Sequence, residues 1–377
     1  MCGNKKKCLP LYPNQLKNAT TMKKITTFVL AVCISLPLFS QQVRGHINIP
    51  DILGFYTLKA DFHMHTVFSD GTVWPTVRVE EAYREGLDAI AITDHLEVNF
   101  RPFRNNVSGS HNRPYEIASP LARERGIILI RGSEVSRGMP PGHFNAIFLT
   151  DSDPLETPYY RDALRIAQAQ GAFIFWNHPG WAVQQPDTTL WWPVHTSLLE
   201  EGLIHGIEVV NTDYYPEAFQ WCLDKNLTII GTSDLHAPSL HTPENRRNMT
   251  LVFARERTAE GIHEALRERR TVAFSNDKVI GEERFLRELF NNSLEYTVER
   301  RGNTTHIRFR NSSDFTFNIS KVGHDERVRF RHLTILPNET RTTILRTGNN
   351  LADVNLIVDN FLVQPHRGME LRIEIGD

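Results

Sequence analysis

Between about residues 56 and 275, five short apolar runs recur with helix-patterned segments between them: "LDAIAIT", "GIILIRG", "AFIFWN", "GIEVVN" and "LTIIGTS". This alternation restricts the fold more than any other feature of the chain. The runs are β-branched, continuous and bounded by glycine or polar residues, as strands buried on both faces should be. The intervening "VEEAYREG", "YYRDALRIAQAQG" and "TAEGIHEALRERR" carry helical spacing, and the first two end in glycine, a helix C-cap signal. Strand, helix, strand in repetition predicts a parallel α/β sheet or barrel. With 377 residues, of which 40% are hydrophobic, the chain is long enough for two domains and apolar enough for a sizeable core.

Polar residues that bind metals gather at the ends of those strands. His63 and His65 follow "YTLKADF", with Asp70 shortly after in "HTVFSDG". Asp94 and His95 end "AIAITDH", Glu134 ends "IILIRGSE", His143 precedes "FNAIFL", His178 ends "FIFWNH", and Asp234 and His236 end "TIIGTSDLH". In a parallel α/β fold the carboxyl ends of the strands lie on one face, so residues from His63 to His236 converge there. His63/His65 and Asp234/His236 are each separated by one residue, so on extended chain each pair points to one side. One such pair is weak. Two pairs with further strand-end imidazoles and carboxylates describe a metal site, and simple strand-end capping would have to produce nine coincidences.

The ordered set "DFHMHTVFSDG", "AITDH", "GSE", "PGHFNA", "NHPG" and "GTSDLH" resembles the polymerase and histidinol phosphatase (PHP) superfamily, and looks most like its stand-alone phosphoesterases. The resemblance covers roughly residues 56 to 275. It implies an α/β fold with a distorted (β/α)7 barrel and a cluster of two or three divalent ions. His63 and His65 would bind one ion with Glu134 and Asp234. Glu134 would bridge to a second ion, held also by His143 and His178, while Asp70, His95 and His236 would hold a third. The same resemblance gives Glu134, His95 and Asp234 the catalytic roles. Mixed imidazole and carboxylate ligation suits Zn²⁺, Mn²⁺ or Fe²⁺. Such ions lower the pKa of bound water from about 15.7 to about 7, so a metal-bound hydroxide is the expected nucleophile. Ser133 and Ser233 adjoin ligands but lie in no serine-hydrolase context.

The expected substrate is a small phosphate ester, nucleotide- or sugar-phosphate-like. Arg101, Arg104, Arg137, Arg246, Arg247 and His241 are its candidate phosphate partners, and "FRPFRNN" is favoured because it follows His95. Trp176, Trp181, Trp191 and Trp192 offer surfaces for a base or sugar, or for ordinary packing. Two other readings are an amidohydrolase-type metallohydrolase, whose strand-borne lysine is not apparent here, and a metal-stabilised module binding glycan or protein. Net charge of −2 argues against a nucleic-acid polymer as partner, since that role needs a basic face.

Beyond residue 280, "THIRFRN", "FTFNISKV", "RVRFRHLTIL" and "GMELRIEIGD" alternate with period two, which predicts a small antiparallel β-sandwich at 281–377 after a helix-prone connector at 281–292. The metal-binding domain is expected at 41–280. Upstream, "MKKITTFVLAVCISLPLFS" from Met22 has a basic start and an apolar stretch too short for a comfortable span, so a signal peptide cleaved near Ser40 and an exported protein are expected. Lipoprotein anchoring through Cys33 ranks second, because Val32 fits a lipobox poorly. After cleavage only Cys222 remains, so no internal disulfide is available.

Overall fold

The computed structural model describes residues 43–107, 109–242, 245–323, 328, 330–346 and 353–375. The expected signal peptide and Cys33 lie outside the described residues. Strands β1 (Tyr56–Asp61), β2 (Ala89–Ile92), β3 (Ile128–Ser136), β4 (His143–Ile147), β5 (Phe173–Trp176), β6 (Gly206–Val210) and β7 (Thr228–Gly231) line up in chain order. Helices α1 (Pro75–Glu85), α2 (Arg113–Arg125), α3 (Tyr160–Ala169), α4 (Pro193–Glu200) and α5 (Pro216–Lys225) connect them. The helix starts and stops follow from sequence: α1 has proline in its first turn, and Gly86 ends it at φ 82°, a conformation that costs glycine little.

The seven strands curl until the first meets the last. Beyond β1, His65 N–H donates to Leu235 O (2.9 Å), and beyond β7, Asp234 N–H donates to His63 O (2.9 Å). This closes a distorted barrel at the carboxyl ends of its strands and sets the two ligand-bearing pairs side by side. Inside, Leu58, Ala60, Ala89, Ala91, Ile130, Phe173, Phe175 and Ile230 form one buried cluster with Ile262, Ala265 and Leu266. The alternate residues Ile174, Trp176, Ile207, Val209 and Ile229 face outward onto α3 and α5. Both faces are therefore largely dry, which is why these runs are predominantly apolar; each fully buried large side chain stabilises by roughly 1.5–3 kcal/mol. Cys222 of α5 is buried here, and burial pushes its thiol pKa up, leaving it inert.

The expectation of a parallel sheet is corrected at β4 and again beyond β1. β4 runs antiparallel to both β3 and β5. Only Arg137–Gly142 separates β3 from β4, which is too short for the crossover that a parallel neighbour needs. The sheet is mixed, and β8 (Met249–Ala254), β9 (Thr271–Ser275) and β10 (Lys278–Gly281) extend it antiparallel from β1, with α6 (Ala259–Arg267) between β8 and β9. Thr258 caps α6 by accepting the Gly261 N–H.

Residues 281–292 form most of helix α7 (Glu283–Ser293). The period-two strands follow: β11 (Leu294–Arg301), β12 (Thr304–Asn311), β13 (Phe317–Lys321), β14 (His332–Ile335), β15 (Thr340–Arg346), β16 (Asp353–Gln364) and β17 (Arg367–Glu374). β16 pairs parallel with β10, so β13, β14, β16 and β17 continue the barrel's own sheet into one of 14 strands. β11, β12 and β15 form a separate three-stranded sheet. Its Ile307, Phe309 and Leu345 share a buried cluster with Phe317, Ile319 and Leu356. Among the described residues no helix is long and apolar enough to cross a membrane.

Candidate metal centre

Nine side chains, eight at or near the carboxyl ends of strands and His143 at the start of antiparallel β4, meet in a cavity of about 300 Å³ and beneath its floor. His63 and His65 lie on the segment leaving β1, Asp70 on the loop after it, His95 just past β2, Glu134 in β3, His143 at the start of β4, His178 past β5, and Asp234 and His236 past β7. His63 Nε2 is 3.1 Å from His65 Nε2, 3.1 Å from Glu134 Oε2 and 3.2 Å from Asp234 Oδ1. His65 Nε2 is 3.0 Å from the same Asp234 oxygen. Glu134 Oε1 faces the other way, 2.7 Å from His143 Nδ1 and 3.9 Å from His178 Nε2. Asp70 Oδ1 lies 3.5 Å from His95 Nε2 and 3.2 Å from His236 Nε2.

The outer partners decide which imidazole nitrogens carry hydrogen. His63 Nδ1 is 2.7 Å from Glu208 Oε1, an acceptor only, so its proton sits there and Nε2 presents a lone pair. His65 Nδ1 meets Ser69 Oγ, whose own hydrogen goes to Asp94 Oδ1, so His65 Nε2 is again bare. His236 Nδ1 donates to the Asp234 carbonyl (2.9 Å), which leaves Nε2 turned toward Asp70. Lone pairs of neutral imidazoles thus face carboxylate oxygens, an arrangement that only protons or cations can relieve. Asp70 Oδ1, Glu134 Oε1, Asp234 Oδ1, His143 Nδ1 and His178 Nδ1 are buried without a hydrogen-bond partner. With protons alone to compensate, titration is distorted accordingly. Burial would lower the His65 pKa, but Asp234 and Glu134 push it up to about 9, and they and Glu208 raise His63 as well. Burial would raise Glu134, yet His95, His63 and His143 hold it well below the carboxylate range. The residues present fit divalent ions.

Backbone strain marks the same place. His178 (φ 26°) and Asp234 (φ 53°) adopt left-handed conformations that non-glycine residues rarely take. The surrounding network holds them there. His178 N–H donates to Glu208 Oε2, and wholly buried Arg78 of α1 donates to the carbonyls of His65 (2.9 Å), Leu235 (2.8 Å) and Ala237 (2.9 Å). Arg78 therefore ties the two ligand loops together. Asp94 accepts from Thr66 N–H, Thr66 Oγ1–H and Ser69 Oγ–H, so this strand-end acid shapes the first loop and stands outside the ligand groups.

The ligands sort into overlapping groups: His63, His65 and Glu134; His63, His178 and Asp234; His95, Glu134 and His143; and His65, Asp70, His95 and His236. His178 falls in a group with His63 and Asp234, and its Nε2 also lies 3.9 Å from Glu134 Oε1, its ring 5.0 Å from that of His143. The cationic candidates lie elsewhere. Arg137 is bound to Glu97 and to the Ser136 carbonyl, and exposed Arg104 contacts the Arg101 carbonyl. Arg246 pairs with Asp314 (2.8 Å), and Arg247 with Glu85 (2.6 Å) and Asp61 (3.1 Å). These two line a second cavity together with His241. None of Arg101, Arg104, Arg137 or His241 lines the metal cavity, whose remaining walls are Phe100, Trp181, Asn211, Thr212 and Tyr215. A place on a strand-end loop, and for "FRPFRNN" a place directly after His95, singles out these cations in the sequence, but neither fixes the direction in which a loop side chain turns. Glu208 and Arg78 were missed: an acid inside an apolar strand was the available signal for the first, and a helix arginine gives none for the second.

A barrel whose strand ends aim buried imidazole and carboxylate lone pairs at common points has the construction of a metal-dependent hydrolase. No family model matches the sequence. Among solved structures, a two-domain protein of Bacteroides vulgatus containing a predicted PHP-like metal-dependent phosphoesterase is 49% identical, with a TM-score of 0.84 over 88% of this chain and 98% of that one. This chain belongs to the PHP-like metal-dependent phosphoesterases. A 5'-3' exoribonuclease of Haemophilus influenzae is 38% identical over 80 residues, which are 21% of this chain; the match spans about a quarter (24%) of that curated relative. Endonuclease Q, in complex with a 27-mer duplex, is 16% identical over 56% of this chain and 57% of its own, at a TM-score of 0.37. The exoribonuclease overturns the expectation that nucleic acid is excluded as a partner. Net charge sums over the whole chain, whereas a phosphate in this site meets only its immediate surroundings.

Proposed function

We propose that this protein hydrolyses phosphate esters at the nine-ligand cluster, acting on nucleotide- or sugar-phosphate-like groups, with strand ends within its scope. The observation that carries the reading is the convergence of His63 Nε2, His65 Nε2, Glu134 Oε2 and Asp234 Oδ1, with the far nitrogens of the two imidazoles turned to Glu208 and Ser69. The ligand groups would hold two or three ions, and their mixed nitrogen and oxygen donors suit Zn²⁺, Mn²⁺ or Fe²⁺. Bound there, divalent ions activate water and offset charge on phosphoryl oxygens. The chain's own part is orientation. Glu208 fixes the His63 ring, Ser69 fixes His65, and the Asp234 carbonyl fixes His236. Asp70 and His236 stand at the more exposed end, where an ester enters.

Elemental analysis of purified protein, followed by a phosphate-release screen over nucleotides, sugar phosphates and short oligonucleotides, tests the reading. Glu134→Gln should lose about 100-fold or more in turnover while keeping its fold by circular dichroism. Wild-type turnover in that variant defeats the proposal. We read the two C-terminal sheets as a sandwich fused to the barrel. We also read the chain as exported, on the basic and apolar stretch from Met22. Fractionation of cells expressing the full chain with a C-terminal tag checks this, and retention in the cytosol rejects it.

A further inference from the structure

We infer that Trp181 is a stacking platform for a nucleobase, so that the substrate is a nucleotide with one phosphate at the metal ligands, either free or at the end of a strand. This rests on the phosphoesterase reading and narrows it. Of the tryptophans in this region, Trp181 alone both lines the metal cavity and is 40% exposed. Trp176 is wholly buried, sandwiched with His195 (3.8 Å) and Trp221 (5.6 Å). Trp191 donates to Thr196 and carries Lys225 over its ring, and Trp192 donates to Gln185. Those three are accounted for by packing. Trp181 is not.

Its ring lies 5.2 Å from the His178 ring at 69° and 6.1 Å from the His143 ring at 60°. Nothing stacks face to face on it among the described residues. Its backbone is pinned: Trp181 N–H donates to His178 O (2.9 Å), and Trp181 O accepts from the N–H groups of Gln184 and Gln185 (2.9 Å each). The indole is therefore held beside two ligands with open surface toward the cavity. An exposed aromatic in a fixed position is costly in water and is relieved by a flat apolar partner. Phe100, stacked on His95 at 4.4 Å, continues the aromatic wall. The two aromatic faces of Phe100 and Trp181 suit a flat base, which a bare sugar phosphate lacks. Asn211, Thr212 and Tyr215 line the same cavity and offer polar atoms for a ribose.

Charge limits the number of phosphates. The described lining residues include Asp70, Glu134 and Asp234 but neither lysine nor arginine. One phosphate is met by the ions that the ligands hold, whereas a second or third would face carboxylates with no fixed cation. A polyphosphate tail is thereby disfavoured.

The test uses metal-loaded full-length protein and two readouts. In the first, adenosine 5'-monophosphate should quench a component of tryptophan emission that is missing in Trp181→Leu, and ribose 5-phosphate should not. Running a 5'-phosphorylated trinucleotide beside it separates the strand end from the free nucleotide. In the second, the KM preference for the nucleotide over ribose 5-phosphate should shrink about 10-fold in Trp181→Leu and survive in Trp181→Phe. Equal KM values for the two esters in the wild type overturn the inference, as does quenching that persists in Trp181→Leu. Failure to release phosphate from any ester defeats the phosphoesterase reading instead, and the emission readout still decides whether a base sits on Trp181.

Discussion

Both oxygens of Glu208 are shared between donors: Oε1 takes His63 Nδ1–H (2.7 Å) and Thr232 Oγ1–H (2.6 Å), while Oε2 takes the His178 N–H (2.6 Å) and Asn211 Nδ2–H (3.0 Å). One wholly buried carboxylate thus orients two ligands from different strands. Replacing Glu208 with Gln keeps its shape and sets an NH2 group against a donor. Metal affinity should fall about 10- to 100-fold, read by competition with a chelating dye. Folding stability should fall by about 1–3 kcal/mol in denaturant titration. Unchanged affinity would remove Glu208 from the site. The convergence of the nine side chains was legible in the sequence because most of them end strands and two pairs are evenly spaced. Glu208 was not, since "GIEVVN" reads as an ordinary buried strand until the barrel curvature shows that its acid points inward at His63. The surroundings of the cations were not legible for the opposite reason: Arg137 and Arg247 have carboxylate partners far away in sequence, at Glu97, Asp61 and Glu85, which no local pattern displays.

Elements were read from periodicity, and periodicity located the strands of the barrel well. It gave no direction to β4, whose orientation follows from the length of the preceding turn rather than from its residues. The packing of α4 and of the β5–β6 edge makes a prediction about pH. His195, wholly buried in α4, accepts the Trp192 N–H at Nδ1 and donates to Pro141 O from Nε2, and burial lowers its pKa to about 4. His205 accepts the Ile174 N–H, and burial with nearby Arg267 lowers its pKa to about 3. Both are neutral in the folded chain and protonate near 6.5 when unfolded. The unfolded state then binds more protons, so their stability contribution is complete above pH 6.5 and is lost as pH falls toward 4. Each histidine contributes a slope of at most about 1.4 kcal/mol per pH unit. His205→Asn, whose amide oxygen can replace Nδ1, should flatten the fall in urea-unfolding stability between pH 7 and 5. An unaltered slope excludes His205 as a source.

At the scale of the whole molecule, the barrel and the C-terminal strands share one sheet through β10 and β16, and Leu362 of β16 belongs to the same buried cluster as Ile280 and Ala273. Leu362→Ala should cost about 2–5 kcal/mol and lower the unfolding transition seen by barrel tryptophans as well as by far-UV dichroism. Two separated transitions in the wild type would contradict this coupling. Added manganese or zinc should stabilise the molecule by about 2.7 kcal/mol at a hundred times its dissociation constant, and excess chelator should reverse the gain. Period-two patterning announced the C-terminal strands; their merger with the barrel was illegible, because pairing partners in a sheet leave no trace in either strand alone. Residues 282–352 intervene between β10 and its neighbour β16. During synthesis, β10 therefore presents a bare hydrogen-bonding edge until residue 364 has emerged, and a nascent chain halted before that point exposes a template for mispairing.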